Sequence, residues 1–360
     1  MIRIMFVIDH LGYGGAQKML LFVASHLNKN VYETLIYLKN GDDKTDYSID
    51  DNISIICGRK REKRYIRRFQ EIGDLIGNIK KYKPDIIISF LNIPNLIATI
   101  AGFVCRIPVI ISERGDPARN VSFIDKMIRQ VECLCSGAVF QTKAAQAFYP
   151  KTISRKGIVI PNPVVKNKEH LQYKFNSQYK KVAFIARFEL VQKRQDIMLY
   201  SFKKVLNKFP EMKLYFYGDG TDEEVCKKLA LELGISKNIL FCGRVQNPLE
   251  QIMDAYMFVL TSDYEGIPNA LIEAMAAGIP VVSTDCSPGG AALLIKNKKN
   301  GLLVPVGDIQ GIADAMIYLL EHPKQAERYG KNGTSISEIY SEKKIIKMWD
   351  EYIIKIIQRK

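Results

Sequence analysis

The sequence predicts an α/β protein made of two doubly wound, Rossmann-like domains that face a central cleft. Two series of apolar, strand-like runs support this fold class, one in each half of the 360-residue chain. Amphipathic stretches of helical period separate the runs, as in parallel sheets with helices on both faces. Residues 159–180 are polar and aperiodic after two prolines, and are predicted to form a linker.

The strands are predicted from short apolar runs bounded by turn residues. Those of the first half are residues 2–8, 33–38, 85–90, 108–112 and 136–141, and those of the second half are residues 180–187, 213–220, 239–245, 255–262 and 279–285. We predict one domain over residues 1–165, a second over 166–340, and a C-terminal helix within 341–360. Because this helix carries an apolar face that includes Ile345 and Trp349, it is expected to pack back on the first domain.

The longest apolar region, residues 85–112, has the length of a membrane span but contains Pro94 and Pro108. These prolines divide it into a strand, a helix over about 94–105 and a second strand, as in a buried parallel sheet. The N-terminus lacks the cleavage site of a signal peptide, so a cytoplasmic protein is expected. Seven scattered cysteines without a Cys-x-x-Cys pair indicate neither a disulfide framework nor a zinc site.

Positive charge is concentrated in the first half of the chain. The formal net charge is +14, and residues 1–165 hold 24 Lys and Arg against 15 Asp and Glu. The densest cationic run, residues 59–69, is interrupted by Tyr65, Ile66 and Phe69 as on an amphipathic helix. Such a helix could lie on an anionic membrane or bind nucleic acid, and a solvated surface helix is the alternative.

Two carboxylates, Glu265 and Glu273, lie on either side of Pro268. Ser262 to Glu265 matches the capping box that opens many helices. A helix begun there would hold Pro268 in its interior, at a cost of about 3 kcal/mol. We therefore predict that the helix begins at Pro268 and ends at Gly278, with Glu265 in the loop before it.

Glu273 is then placed on a helix face of small residues. Leu271, Ile272 and Met275 point elsewhere and supply the core contact. A carboxylate on such a face, with Glu265 at the mouth of the same helix, suggests a pocket for a ligand rich in hydroxyls and negative charge.

A glycine-rich turn follows the first predicted strand, where helix N-termini attract phosphates. It contains Gly12, Gly14 and Gly15, but Gln17 occupies the third glycine position of the dinucleotide fingerprint. Residues 37–39 end the second strand without the acid that binds a ribose, so NAD binding is not expected. The glycines would let a substrate group approach the backbone, or merely form a tight turn.

Two cations follow the first strand of the second half. Arg187 ends this strand and Lys193 lies six residues later, near the edge where doubly wound sheets bind ligands. Facing the Glu265 helix, the two would grip a diphosphate, arginine through its planar fork and lysine as a point charge. The alternative is that either cation lies in a solvated loop.

The chain resembles the GT-B glycosyltransferases of family 4, a large retaining family, over nearly all of its length. The motifs that carry the resemblance are Gly14-Gly15-Ala16, Pro161-Asn162-Pro163, Arg187 with Lys193, Gly218-Asp219-Gly220, Gly243-Arg244-Val245, Glu265-x7-Glu273 and Asn300-Gly301-Leu302-Leu303-Val304-Pro305. Residues 111–117 are similar to those of bacterial members that assemble capsule, exopolysaccharide or lipopolysaccharide core. The resemblance implies transfer of a sugar from a nucleotide-diphosphate donor to a glycan or lipid-linked acceptor.

The resemblance also assigns roles. Glu273 would accept hydrogen bonds from the ribose hydroxyls, Glu265 would face the transferred sugar, and the two cations would neutralise the departing diphosphate. The catalytic residues are thus expected to be Arg187, Lys193 and Glu265, and the donor-binding residues Glu273, Gly266, Ile267, Pro268, Asn269, Gly218, Arg244 and Val245. The loop for acceptor or phosphate is expected to include Gly14, Gly15, Glu113 and Arg114.

By the same resemblance, the leaving phosphate takes the acceptor proton and the cations replace a metal, so no metal or other cofactor is expected. A UDP-sugar is the expected donor, with GDP-mannose as the alternative. The chain departs from the family pattern at Arg114, where many relatives have a histidine that contacts the sugar, and at Leu293, where a glutamate is common.

Two other functions compete with the transferase. A sugar-nucleotide epimerase or phosphorylase would share the fold, and a non-catalytic protein could use its basic first domain to hold nucleic acid or another anionic polymer. The joint presence of Arg187, Lys193, Glu265 and Glu273 favours the enzyme. Its expected partners are a nucleotide sugar, the acceptor and the anionic inner face of the cell membrane, but not nucleic acid.

Overall fold

The computed structural model describes residues 1–12, 14–41, 45, 47–59, 67–119, 122–165 and 173–359. The chain forms two compact units, one of Met1–Asn162 with Lys343–Lys360 and one of Pro163–Glu342. Tyr13 of the glycine-rich turn, residues 60–66 of the cationic run and residues 166–172 of the predicted linker lie outside the described residues.

The first unit is built on a parallel sheet. Its strands are β1 (Ile2–Ile8), β2 (Tyr32–Leu38), β3 (Ile53–Cys57), β4 (Ile86–Phe90), β5 (Val109–Ser112), β6 (Gly137–Phe140) and β7 (Gly157–Val159). They lie in the order β3-β2-β1-β4-β5-β6-β7. The five strands predicted for this half are confirmed. The two edge strands were not predicted, because β3 is only partly buried and β7 has three half-buried residues.

Helices connect these strands. They are α1 (Gly15–His26), α2 (Arg67–Tyr82), α3 (Asn92–Cys105), α4 (Phe123–Glu132), α5 (Lys143–Phe148) and α6 (Lys151–Ser154). The predicted division of residues 85–112 into strand, helix and strand is confirmed by β4, α3 and β5. Among the described residues, no helix combines the length and apolar character needed to cross a membrane.

The C-terminal helix (Glu342–Ile357) packs on the sheet of the first unit. Its Trp349 is fully buried and stacks on Phe90 of β4, with ring centroids 6.0 Å apart. The backbone N–H of Ala138 in β6 donates a hydrogen bond of 3.0 Å to the hydroxyl of Tyr352. These contacts make the C-terminal helix part of the first unit.

Glu132, the last residue of α4, is a buried carboxyl group. The residue is 1% exposed, and neither carboxyl oxygen has a hydrogen-bond partner among the described residues. Burial, assisted by the negative charge of Glu113 and partly opposed by Arg129, raises the pKa of Glu132 to about 8. The folded protein therefore holds this carboxyl group largely in its neutral form at pH 7.

We expect the stability of Glu132→Gln relative to the wild type to rise between pH 5 and pH 8. The carboxyl pKa is about 8 in the folded protein, but about 4.3 in an unfolded chain. Between these values the unfolded state binds fewer protons, so the wild type loses stability as the pH rises, and the variant lacks this loss. Denaturant unfolding at both pH values measures the difference. The exposed Glu232→Gln is the control, and an equal response of both variants would contradict the expectation.

The second unit is built on another parallel sheet. Its strands are β8 (Lys181–Ile185), β9 (Lys213–Tyr217), β10 (Ile239–Phe241), β11 (Ala255–Leu260), β12 (Val281–Thr284) and β13 (Leu302–Val304). They lie in the order β10-β9-β8-β11-β12-β13. The five predicted strands are confirmed, although several end earlier than predicted. The edge strand β13 was missed because its three residues sit in a glycine- and proline-bounded motif.

Helices cover both faces of this sheet. They are α7 (Leu190–Lys193), α8 (Gln195–Leu206), α9 (Glu223–Glu232), α10 (Asn269–Ala277), α11 (Gly290–Leu294), α12 (Ile309–Glu321), α13 (Pro323–Gly333) and α14 (Ile336–Ile339), with short 3₁₀ helices at Ser236–Asn238 and Glu250–Ile252. Side chains of β8 alternate between the faces: Val182 and Phe184 belong to one apolar core and Ala183 to the other. The predicted α/β class with two doubly wound sheets is confirmed.

Candidate functional site

The strand order of the second sheet reverses between β8 and β11. From β8 the chain proceeds to β9 on one side, and from β11 to β12 on the other. Loops that follow neighbouring parallel strands share one edge, and the point of reversal is where doubly wound sheets bind ligands. The loop and short helix after β8 carry Arg187 and Lys193, and the loop after β11 carries Glu265.

Hydrogen bonds to main-chain carbonyl oxygens join α7 and Arg194 to the segment after β11. The hydroxyl of Thr261 donates to the carbonyl oxygens of Lys193 at 3.0 Å and Arg194 at 2.9 Å. The N–H of Asp263 donates to the carbonyl oxygen of Gln192 at 2.8 Å. The two segments are thus fixed to each other by contacts that do not involve their charged side chains.

Lys193 and Glu265 form an ion pair between these segments. Nζ of Lys193 contacts Oε1 of Glu265, which also accepts a hydrogen bond of 2.9 Å from the hydroxyl of Ser262. Oε2 of Glu265 accepts a bond of 3.4 Å from the amide of Gln192. The two charged side chains are only 17% and 10% exposed. Removing one partner would leave the other charge poorly hydrated, and for buried pairs such a loss costs about 3–5 kcal/mol.

Arg194 forms a second charged cluster beside this pair, which was not predicted from the sequence. It donates two hydrogen bonds of 3.0 Å to Asp196 and contacts Asp263 at 3.1 Å. These bonds, led by the one to Asp196, raise the pKa of Arg194 above its ordinary value. Asp196 is close in sequence and could have signalled the cluster, but Asp263 is brought to it only by the fold.

Arg187 lies at the same edge but is held by a different carboxylate. Its guanidinium group pairs with Glu189, and its side chain is 65% exposed. Its carbonyl oxygen accepts a hydrogen bond of 2.8 Å from the amide of Gln195 at the start of α8. The main chain of Arg187 is therefore fixed while its side chain remains accessible.

The glycine loop after β9 packs directly on the segment after β8. Gly218 has a φ of 139°, and a Cβ atom there would lie 2.1 Å from the carbonyl oxygen of Ala186. A Cβ atom at Gly220 would lie 2.3 Å from the carbonyl oxygen of Phe188. Only glycine permits this approach. Farther along this edge, Arg244 is exposed at 3.9 Å from Asp219, and Val245 is half-buried.

The helix that carries Glu273 is confirmed within one residue of its predicted start. α10 begins at Asn269, with Pro268 in extended conformation as its N-cap, and ends before the left-handed Gly278. The capping-box alternative is therefore wrong: Ser262 binds the Glu265 side chain in the loop and does not start the helix. Gly266 lies close to Gly290, where a Cβ atom would come within 1.7 Å of the Gly266 carbonyl oxygen.

The two faces of α10 also follow the prediction. Leu271, Ile272 and Met275 are fully buried in the core, while Glu273 is half-buried. Ile267 and Pro268 are buried just before the helix, and Asn269 is half-buried at its first position. The structure thus keeps the Glu273 carboxylate on the face opposite the core.

Two predicted residues of the first unit are tied together after β5. The Glu113 side chain accepts hydrogen bonds of 2.9 Å from the N–H groups of Arg114 and Gly115, and one of 2.6 Å from the hydroxyl of Tyr149. Burial next to Glu113 raises the pKa of Tyr149 well above its ordinary value. The Glu113 side chain therefore holds the backbone of the loop that follows β5.

Arg114 is a largely buried guanidinium group. It lies over the rings of Phe90 and Trp349 at 5.0 and 5.6 Å and donates to Asn162 at 3.3 Å. Burial lowers the pKa of Arg114 to about 9, although Glu113 opposes the shift. The residue that departs from the family pattern thus contacts the C-terminal helix.

The glycine-rich turn of the first unit begins α1. Gly14 is the N-cap residue and Gly15 the first residue of the helix. The backbone of Gly14 lies 3.2 Å from the hydroxyl of Tyr47 through both its N–H and its carbonyl oxygen. The Tyr47 hydroxyl therefore uses hydrogen-bonding groups of this turn, the N–H and the carbonyl oxygen of Gly14.

Comparison with known proteins finds a family model that matches the second unit. Residues 165–336, which include the whole site of the second unit, match the family model "Glycosyl transferases group 1".

Among the residues that the structure describes, no group of three or more His, Cys, Asp or Glu side chains is placed to hold a metal ion.

Similar proteins match nearly the full chain. An uncharacterized glycosyltransferase of Haemophilus influenzae is 26% identical over 358 residues, which cover 96% of this chain and 98% of the relative. A lipopolysaccharide 1,6-galactosyltransferase of Escherichia coli K12 is 25% identical over 359 residues, which cover 97% of each protein. The crystal structure of Anabaena HepE in complex with UDP-glucose has a TM-score of 0.82 at 17% identity, covering 99% of this chain and 100% of that one. Together with the two doubly wound sheets, the match of the second unit to the group 1 glycosyl transferases and these full-length similarities support a GT-B glycosyltransferase.

Proposed function

We propose that the chain is a retaining glycosyltransferase that moves a sugar from a UDP-sugar to a glycan or lipid-linked acceptor in cell-surface polysaccharide synthesis. The observation that carries this proposal is the Lys193–Glu265 pair at the point where the second sheet reverses its strand order. The choice of UDP is supported by similarity in fold to a protein crystallised with UDP-glucose. The choice of acceptor is supported by sequence similarity to a lipopolysaccharide galactosyltransferase.

In this proposal the loops after β8 and β11 hold the donor. Glu273 binds the ribose hydroxyls from the small-residue face of α10, and the backbone between Gly266 and Asn269 approaches the phosphates. Arg187 and Lys193 bind the diphosphate. A lysine ammonium has three N–H donors, so Lys193 can contact Glu265 and a phosphate oxygen at the same time. The exposed guanidinium of Arg187 can exchange Glu189 for a phosphate without unfolding its loop.

The proposed reaction needs no protein base. The bond between the anomeric carbon and the diphosphate oxygen breaks, and the acceptor hydroxyl forms a new bond on the same face. Its proton passes to the leaving phosphate. Negative charge grows on the diphosphate as the first bond breaks, and cations fixed at that position stabilise the transition state. Glu265, held by Lys193 and Ser262, would face the sugar.

The residues proposed for acceptor or phosphate contacts in the first unit are Gly14, Gly15, Glu113 and Arg114. Of these, the Arg114 side chain is held over the rings of Phe90 and Trp349. The Glu113 side chain is held by hydrogen bonds within its own loop. We therefore propose that Glu113 acts mainly through the N–H groups and the tyrosine that it positions.

Incubation with a panel of nucleotide sugars and a membrane lipid extract tests the function. We expect nucleotide release from a UDP-sugar that depends on the extract and yields a glycosylated product of unchanged anomeric configuration. Release without added acceptor together with an isomerised or phosphorolysed sugar would support an epimerase or phosphorylase. Salt-sensitive nucleic-acid binding without turnover of any nucleotide sugar would support a binding protein.

We expect Arg187→Ala and Lys193→Ala to lower kcat by about 10²- to 10³-fold. Their effect on the donor KM should be smaller, because the cations are proposed to bind the transition state more strongly than the ground state. The exposed Lys237→Ala of the same unit is the control and should leave both constants unchanged. An increase in KM alone would reduce either cation to a binding contact.

The same role predicts that EDTA leaves the wild-type rate nearly unchanged, since the two cations supply the charge that a metal would otherwise provide. Loss of the rate in EDTA and its recovery with magnesium or manganese would contradict the metal-free mechanism.

A further inference from the structure

Helix α4 of the first unit exposes an unusual set of large apolar side chains. Phe123 is 77% exposed, Ile124 69% and Met127 56%, and Leu134, just after the helix, is 51% exposed. Only Ile128 and Glu132 of this helix are buried. The helix thus packs on the protein through a narrow stripe and turns most of its apolar surface to the outside.

The end of α3 extends this surface. Helices α3 and α4 are in contact, and α3 ends with Phe103, 64% exposed, and Val104, 59% exposed. Phe103 and Leu134 line one groove of about 320 Å³. The exposed apolar side chains thus lie on two helices in contact with each other, and those at the end of α3 and just after α4 share a groove.

The second unit has no such concentration among its described residues. Its exposed large apolar side chains are Val191, Tyr200, Val225, Leu231, Leu293, Val306, Tyr318 and Ile339, spread over six helices and one loop. Scattered residues of this kind are normal on protein surfaces, whereas contiguous apolar faces mark interaction sites.

Three cations lie on or beside the helices that carry these apolar side chains. Arg106 and Arg359 line the groove together with Phe103 and Leu134, and Lys126 projects from α4 between Ile124 and Met127 in sequence. All three cations are exposed. Asp125 on the same helix is bound in a capping box with Ser122. Apolar and cationic groups side by side match a bilayer surface, where acyl chains lie below anionic headgroups.

This charge pattern disfavours a second copy of the chain as the occupant. In a two-fold symmetric contact the same patch meets itself, so each cation would approach other cations. Like charges across an interface are unfavourable. An anionic lipid surface instead satisfies the cations and the apolar side chains together.

We propose that the α3–α4 face, made of Phe103, Val104, Phe123, Ile124, Met127 and Leu134 with Arg106, Lys126 and Arg359, docks the protein on anionic membranes. This face differs from the cationic run expected to do so. In that run, Arg67 and Arg68 both bind the buried carboxylate of Glu71, and residues 60–66 lie outside the described residues. The inference does not rest on the proposed function, because vesicle binding is measured without donor or acceptor.

Sedimentation with vesicles of equal parts phosphatidylglycerol and phosphatidylcholine tests the apolar part of the face. We expect the variant Phe123→Ser/Ile124→Ser/Met127→Ser to bind about tenfold or more weakly than the wild type, since it lacks three apolar side chains that the proposal buries in the bilayer. The matched control is Val225→Ser/Leu231→Ser on α9, which should bind as the wild type does. Equal binding by both variants would overturn the proposal.

The charged part is tested by Arg106→Gln/Lys126→Gln/Arg359→Gln, with Lys213→Gln/Lys228→Gln/Lys237→Gln as a control of equal charge. We expect about fivefold weaker binding for each cation removed from the face, with little change in the control. Binding of the wild type should fall between about 0.05 and 0.5 M NaCl. Binding that is independent of salt, or as strong to phosphatidylcholine alone, would overturn the proposal.

A reporter variant reads contact directly and does not depend on loss of function. Trp349 is the only tryptophan and is buried, so its emission should not respond to vesicles. Phe123→Trp should show a blue shift on addition of anionic vesicles and quenching by brominated lipids. An unchanged spectrum with sedimenting protein would place the contact elsewhere. A concentration-dependent dimer that Phe123→Ser/Ile124→Ser/Met127→Ser abolishes would assign the face to a second copy and overturn the proposal.

Discussion

The ion pair between Lys193 and Glu265 is the interaction on which the candidate site depends. It joins the segment after β8 to the loop after β11, at the position where the strand order of the sheet reverses. Hydrogen bonds from the Thr261 hydroxyl and the Asp263 N–H to main-chain carbonyl oxygens fix the same two segments, so the charged groups meet on a rigid frame. The frame also sets where α10 begins, and hence where the Glu273 carboxylate is presented.

Positive and negative groups at this edge are closely balanced. Lys193 is paired with Glu265, Arg194 with Asp196 and Asp263, and Arg187 with Glu189. A diphosphate would therefore compete with resident carboxylates rather than meet bare cations. The pairs differ in how readily they yield: the Lys193 pair is nearly buried and further bonded, whereas the Arg187 side chain is largely exposed. Lys193 is therefore held in place, whereas the side chain of Arg187 is free to change its partner.

The sequence predicted the central strands and helices α3 and α10 well, because buried strands are continuous apolar runs and α10 is bounded by Pro268 and Gly278. Edge strands such as β3 and β13 were not predicted, since half-buried or very short strands lack a continuous apolar run. Lys193 and Glu265 were both predicted as site residues from the sequence. The Arg194 cluster was not, because Asp263 is brought to Arg194 only by the tertiary structure. The neutral Glu132 and the exposed face of α4 depend on which helix face the fold covers, and periodicity alone does not determine that.

In the proposed reaction the loops after β8 and β11 bind the diphosphate and α10 binds the ribose. A crystal structure of the protein with bound UDP tests this arrangement. We expect diphosphate oxygens within hydrogen-bond distance, about 3 Å, of Lys193 Nζ and of the Arg187 guanidinium, with the ribose hydroxyls donating to Glu273. UDP bound away from these loops, with Arg187 still paired to Glu189 and Glu273 free of the ribose, would contradict it.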